Sequence, residues 1–400
     1  MTSIDKFNSI NIQWIESVKD IREEDWNKIF GSSLIKSRKL FIAMEDSSFN
    51  DVKYHYLLMY KNNVIINIIP CFCYKLDLLH LITSNRFKTF IFRCRSIFPN
   101  LLKVKTFVVG SYMATCEHFI EKKDELISCY PKLLNFQLKM KFKETKSHIL
   151  FIKDVRQREI SYVQNILGKE FYFFKSFPTT AIPILGDEIL YPNALKKKNR
   201  KRYRLFKQKF DSRYTWEICY DFEKYVNKFS KLYLSVLDKA SNKFEILNSS
   251  FFSNINRLFP QKSFLLIARN KNDEIVLAEL IMEEEERLLP LYLGIDYKKG
   301  DTITLYLNAI FRTIKEAEYR RKIFVDFGQT SYYPKVMSGA FVEYIYYGFW
   351  SNKPFLSWMI HNVFKYIFIL PYIPKNVYLK KYKDQAINIL KNNKFLLAND

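Results

Sequence analysis

An α/β (α+β) protein of two domains, each a mixed, mostly antiparallel sheet flanked by helices, is the fold class this sequence predicts. Three observations carry the prediction. The chain has 400 residues, of which 48% are hydrophobic, enough for two sizeable cores. Short strand-like runs alternate with helical runs from end to end. Glycine and proline are scarce, with 9 and 12 residues, and apolar residues occur throughout, which excludes a disordered chain.

In the first half, HYLLMYKNNVIINIIPCFCYK (55–75) reads as a β-hairpin around the turn Lys61-Asn62-Asn63. Pro70 predicts that its second strand lies at an edge or is bulged. A helical stretch, the strand KTFVVG (105–110), a helix near 117–142 and the strand SHILFIKDV (147–155) follow. EISYVQNILGKE is a helix closed by Gly168. The stretch 176–192 holds three prolines and reads as a linker. The expected division is therefore 1–180, 181–350 and a helical extension, 351–400.

The second half repeats the order. A basic helix spans 193–211 and a helical region 221–260. Three strands follow, SFLLIARN (263–270), EIVLAELIME (274–283) and RLLPLYLGI (287–295). In the next stretch Ile303, Leu307, Ile310, Phe311, Ile314 and Ala317 recur at helical spacing. Asp301 or Thr302 is its cap, and Gly300 supplies the bend before it. The strand 322–327 ends in Gly328. No sequence repeat is visible, yet the shared order predicts a structural duplication.

The net charge of +23 predicts an anionic partner: nucleic acid, a phosphate-rich cofactor, an acidic carrier protein or an anionic membrane. Seven of the nine residues 196–204 are Lys or Arg, a run that suits a solvated helix or a phosphate-facing one. The cysteines Cys71, Cys73, Cys94, Cys116, Cys129 and Cys219 form no ligand pattern, so no metal is expected, and they read as reduced thiols of a cytoplasmic protein. Residues 1–20 hold no run of signal-peptide type. PFLSWMIHNVFKYIFILPYIP (354–374) is interrupted by His361, Asn362, Lys365 and Pro371. It reads as a buried or membrane-surface helix, giving possible peripheral contact with a membrane.

YLGIDYKKGDTITLYLNAIFRTIKEAEYRRKIFVDFGQTSYYPKVMSGA resembles the GNAT-like domain of Fem-type and cellulose-biosynthesis-associated acyltransferases. The resemblance rests on Asp326-Phe327-Gly328, Lys335 and Gly339-Ala340, together with the basic helix LKKKNRKRYRLFKQKF upstream, and covers about residues 190–345. It implies tandem GNAT-like domains and an N-acyltransferase. The implied donor is acyl-CoA, acyl carrier protein or aminoacyl-tRNA, and the implied acceptor a small-molecule or envelope-precursor amine. GNAT enzymes hold the CoA pyrophosphate in a Q/R-x-x-G-x-G/A loop. Here that place reads DYKKGDTITL, and only Gly300 of the pattern is kept, as in Fem-type enzymes, whose donor is an aminoacyl-tRNA.

Acyl transfer needs an amine that loses a proton, a polarised carbonyl and a leaving group. None of the five histidines lies between 260 and 345, so direct attack fits better than a covalent triad. The catalytic candidates are Asp326, Lys335, Tyr333 and Glu279, the last if its strand register faces the cleft. Donor-binding candidates are Lys298, Lys299, Gly300 and Thr302, at a helix N-terminus suited to an anion, with Arg200 and Arg204 of the basic helix. Gln329, Tyr332 and Asp296 are candidates for substrate contact. A non-catalytic, basic nucleic-acid-binding protein on the same fold is the alternative reading.

Overall fold

The computed structural model describes residues 10–49, 51–80, 85–120, 130–186, 189–240, 245–367, 372–395 and 397. It forms two compact units, and each is assembled from three pieces of chain. Met1–Ser176, Ser241–Ile246 and Ile345–Leu370 make the first; Phe177–Ala240, Leu247–Tyr344 and Pro371–Asp400 make the second. The expected division at 180 and 350 differs from this, for a reason visible in the strands.

The first unit contains β1 (Ile10–Ile15), α1 (Glu23–Phe30), α2 (Arg38–Asp46), β2 (Lys53–Lys61), β3 (Val64–Asp77), α3 (Asn85–Cys94), β4 (Lys103–Val109), α4 (Tyr130–Glu144), β5 (Ile149–Arg156), α5 (Ile160–Leu167) and β6 (Tyr172–Lys175). The second begins with β7 (Thr179–Pro183), α6 (Lys197–Asp211), β8 (Tyr214–Cys219), α7 (Val226–Lys239), α8 (Ser249–Leu258) and β9 (Ser263–Asn270). It continues with β10 (Ile275–Glu283), β11 (Arg287–Ile295), α9 (Thr302–Tyr319), β12 (Phe324–Gly328), α10 (Tyr332–Met337) and β13 (Phe341–Glu343). The chain then runs through β14 (Ile345–Trp350), α11 (Pro354–Asn362), α12 (Phe364–Ile367) and α13 (Lys380–Asn392).

Each unit has one seven-stranded sheet, ordered β1-β2-β3-β4-β5-β14-β6 and β13-β7-β12-β11-β10-β9-β8. The two orders match strand for strand. In both, one strand comes from the other half of the sequence. β7, within the expected linker, pairs antiparallel with β12 and β13; β14 pairs antiparallel with β5 and β6. An interior strand needs ladder partners on both edges, so the sequential boundaries give way to this exchange.

The first core lies between β2–β5 and the helices α4 and α5. Leu57, Ile69, Phe107 and Ile152 pack with Leu134, Leu138, Phe142 and Val163. Of the helix expected near 117–142, α4 covers Tyr130–Glu144, 117–120 are not helical, and 121–129 lie outside the described residues. Pro70 lies in an interior strand, not an edge one. β4 pairs with β3 only from Cys71 onward, and the Gly110 N–H donates to the Pro70 carbonyl where the ladder ends. A strand can spare a proline N–H at that point.

In the second unit α9 is more buried than one apolar stripe would give. Most of its residues from Thr304 to Ala317 are buried, with Asn308 donating to the Phe206 carbonyl of α6. Ile303, counted on its apolar face, is instead 61% exposed. On the opposite face of the sheet α7 lies against β11 so closely that no side chain fits at Gly294. A methyl there would come 2.5 Å from Leu232 Cβ and 2.7 Å from the Tyr233 nitrogen. Gly294→Ala is therefore expected to destabilise the protein by about 1–3 kcal/mol, read as a lower urea midpoint with an unchanged m-value.

Candidate active site

The local geometry that defines the site begins with a break in pairing. β11 and β12 are parallel, but their register holds for two pairs only, Arg287–Phe324 and Leu288–Val325. The corresponding strands of the first unit, β4 and β5, hold four pairs. Beyond Leu288 the two strands part. At the same level β11 bulges: Ile281 faces Pro290 and Leu280 faces Tyr292, so Leu291 is skipped in the register with β10. Bulges redirect strands and side chains next to active sites.

One step from the bulge, Glu279 sits on the face of β10 that meets α9. It is 6% exposed, pairs across β10 with Leu293, and accepts a hydrogen bond from the Thr313 hydroxyl at 2.8 Å. Burial pushes its carboxyl up to about 7, against the opposing pull of the Thr313 hydrogen bond and the Lys335 ammonium. Lys335, in α10, is also buried and donates to the carbonyls of Phe327 and Gln329, both at 2.7 Å. Its ammonium thus stands at the C-terminal end of β12, near Glu279. The half-buried Tyr306 of α9 hydrogen-bonds to Ser331; burial pushes its phenol up to about 12, and the Glu279 charge adds to the rise.

A tight turn brings these groups together. Gly328, Thr330 and Ser331 have φ of 59°, 65° and 51°, the left-handed region that non-glycine residues adopt at a cost. The turn reverses the chain from β12 into α10. Glu279, Tyr306, Thr313, Ser331 and Lys335 therefore combine a carboxyl poised near neutrality with hydroxyl donors and a cation. Such a set can accept a proton from an amine and supply one to a leaving group.

Other candidates have different tasks. Asp326 is buried in an ion pair with Arg287 at 3.2 Å and also accepts from the Gly328 N–H at 3.1 Å; Arg287 also binds Glu284 at 2.6 Å. That is a structural position. Gln329 donates to the Phe177 carbonyl at 2.8 Å, tying the turn to the chain before β7. Tyr332 is buried, whereas Tyr333 is 56% exposed and has the Arg202 guanidinium over its ring. Tyr333 is therefore a surface residue and not part of the Glu279 cluster.

The loop before α9 also departs from expectation. Asp296 accepts from the backbone N–H groups of Lys298 and Lys299, at 3.0 and 3.3 Å. Asp301 is the N-cap, not Thr302, and accepts from the Thr304 N–H at 3.1 Å. Lys299 is paired with Glu274. Carboxylates already occupy several donors that a pyrophosphate would use, and their charge opposes one. A side chain at Gly300 would require the Cδ1 end of Leu305 to move. Arg200 donates to the carbonyls of Asn193 and Leu195 at its own helix start, and Arg204 is exposed. Tyr203 packs on Phe311, and the Phe206 carbonyl accepts from Asn308, so α6 runs antiparallel to α9. Arg200 and Arg204 consequently lie toward the far end of α9 from the loop, and Arg213, 3.9 Å from Asp301, lies at the near end.

Sequence reasoning missed Tyr306, Thr313 and Arg287. Thr313 and Tyr306 break the apolar pattern of a buried helix, which is the signal that marks them. Among the described residues no group of three or more His, Cys, Asp or Glu side chains gathers as a metal site. Cys71, Cys73, Cys94, Cys116 and Cys219 form no disulfide; Cys129 lies outside the described residues, as do 1–9 and 368–371 of two other segments read above.

No protein-family model matches the chain, and no curated protein does. Solved structures do. FemX aligns with a TM-score of 0.53 at 12% identity, covering 87% of this chain and 100% of its own. L-PGS from Bacillus licheniformis aligns with a TM-score of 0.50 at 12% identity, covering 88% and 98%. A tandem GNAT protein from the clavulanic acid biosynthesis pathway aligns with a TM-score of 0.50 at 8% identity, covering 86% and 99%. The chain shares the tandem GNAT-like fold of these structures.

Two outcomes are expected from this geometry. Arg287→Ala leaves the Asp326 carboxylate buried without its counter-ion and should destabilise the protein by about 3–5 kcal/mol, measured by urea unfolding. Glu279 holds a proton in the folded state between its ordinary 4.5 and about 7, where the unfolded chain has lost it. Its contribution to stability therefore falls as pH rises through that window. Urea midpoints measured across it should decline for the wild type and decline less for Glu279→Gln.

Proposed function

We propose that this chain is an N-acyltransferase that moves an acyl or aminoacyl group onto an amine by direct attack, with Glu279 as the base. The observation that carries the reading is the buried Glu279 carboxyl, held by Thr313 where β11 bulges and parts from β12. The amine nitrogen attacks the donor carbonyl while its proton passes to Glu279. The C–O or C–S bond of the donor then breaks, and the leaving oxygen or sulfur is protonated, with the neutral Tyr306 phenol as the donor. Lys335 keeps positive charge near the base and so holds its proton affinity close to the working pH.

For the donor we infer aminoacyl-tRNA, in the manner the Fem-type resemblance implies. Two features support it. The N–H groups of Lys298 and Thr304, at the loop and first turn of α9 where a CoA pyrophosphate would sit, bind Asp296 and Asp301 instead. The exposed residues Lys197, Lys198, Lys201 and Arg204 form a cationic row on α6 suited to a phosphate backbone. The acceptor, on the same resemblance, is an amine of a small molecule or envelope precursor.

The test is transfer from labelled aminoacyl-tRNA pools, acyl-CoAs and acyl carrier protein to an amine panel. Transfer from charged tRNA is expected, with kcat/KM rising through about pH 7. Glu279→Gln should lower kcat by roughly 10²–10⁴-fold and remove that pH dependence. Transfer from an acyl-CoA with no use of charged tRNA would overturn the donor assignment. Salt-sensitive binding of charged and uncharged RNA alike, with no transfer from any donor, would replace the proposal with the nucleic-acid-binding reading.

A further inference from the structure

Two segments of the first unit share a feature that acyl transfer does not use. α3 and the turn after it expose Phe90, Phe92 and Phe98 at 60%, 61% and 64%; α11 and α12 expose Phe355, Trp358 and Tyr366 at 69%, 56% and 69%. Isolated exposed apolar residues are ordinary, but six large rings are not.

The sheet brings both segments to one end. β3 finishes where β4 starts, with Asp77 opposite Lys103. β4 and β5 run parallel from Thr106 and Ile149. β14 finishes against the start of β5, with Trp350 opposite Leu150. The connection that contains α3 and the chain that continues into α11 therefore leave the sheet at the same edge. The packing of Tyr172, at the start of β6, on His361 of α11 agrees with this placement.

That edge is cationic. No Asp or Glu occurs between Asp77 and Glu117, a stretch holding Arg86, Lys88, Arg93, Arg95, Lys103 and Lys105, or in 344–370, which holds Lys353 and Lys365. Asp77 itself is paired with Arg95 at 2.7 Å, and Glu144, at the end of α4, with Lys141 at 2.7 Å. Arg93, Lys103, Lys105, Lys353 and Lys365 are exposed among the rings.

We propose that this end of the first unit docks on an anionic lipid bilayer, with the rings entering the interface and the cations meeting lipid phosphates. Each ring is more than half exposed, so it stands out from the surface. A fluid interface accepts such rings, while RNA stacking uses a groove that the rings line. Tryptophan and tyrosine favour the headgroup region, and the interspersed lysines and arginines favour anionic lipid. No helix among the described residues is long and apolar enough to cross a membrane, so docking is at the surface. The proposal does not depend on the acyl-transfer reading.

Flotation of the full-length protein with phosphatidylcholine vesicles, and with the same lipid containing phosphatidylglycerol, tests it. Binding is expected to the anionic vesicles, to weaken with added salt, and to be small for phosphatidylcholine alone. Phe90→Ser with Phe92→Ser, and separately Phe355→Ser with Trp358→Ser, should each lower binding by about tenfold or more, with thermal unfolding unchanged because these rings are exposed. Absence of flotation with either lipid, or undiminished flotation when all four residues are changed, would overturn the proposal. So would concentration-dependent self-association, or RNA binding, that the four substitutions abolish while no vesicle is bound.

Discussion

Two parallel strands that stay paired for two residues leave their remaining backbone groups and side chains to be covered by other elements, and the second unit is arranged around that requirement. After Leu288, β11 is supported on one face by α7, which approaches closely enough to require Gly294. On the other face α9 closes over the sheet. A helix that covers parted strands must fill space with side chains while meeting polar groups that no ladder satisfies. Of the buried polar residues of α9, Thr313 meets the sheet through the Glu279 carboxyl, while Thr304 bonds its N-cap Asp301 and Asn308 the Phe206 carbonyl of α6. Glu279 lies under the same cover, and its proton affinity is a consequence of being there.

The first unit resolves the same topology differently. Lys153, at the end of β5 and 1% exposed, donates to the carbonyls of Ser111 and Met113 at 2.9 and 2.6 Å. Its side chain crosses to the chain that follows β4 and ties it down. Lys335 in the second unit binds the end of its own strand and the turn after it instead. Lys153 also stands 3.5 Å from the buried Asp154, whose carboxyl burial pushes up, so both units place a buried lysine near a carboxyl of raised proton affinity, and they differ in which backbone carbonyls the lysine holds.

Much of the fold was legible because its signals are local. The three strands from Ser263 to Ile295 and the helix after them have clear periodicity and turns, and the structure places them within a residue or two of expectation. The strand exchange was not legible: pairing of Ala181 with Asp326, or of Phe151 with Phe349, joins residues far apart in sequence, and no local pattern encodes partner choice. Lys335 and Glu279, selected from residue type and position, are both buried. Tyr333 was not separable from Tyr332, because which of two adjacent tyrosines faces inward depends on the left-handed turn before α10. The occupation of the α9 N-terminus by Asp296 and Asp301 depends on loop geometry, which composition does not report.

The exchange also has a bearing on synthesis. When the ribosome has made the chain as far as residue 180, β5 and β6 exist, but the strand that lies between them, β14, ends only at Trp350. One edge of β5 therefore emerges without its permanent neighbour, and the first sheet stays incomplete until the chain has been made through Trp350. During that interval the nascent chain presents an apolar strand edge, which is a template for wrong pairing with other chains. The two halves of the sequence therefore cannot be made as independent modules and each keep its own complete sheet.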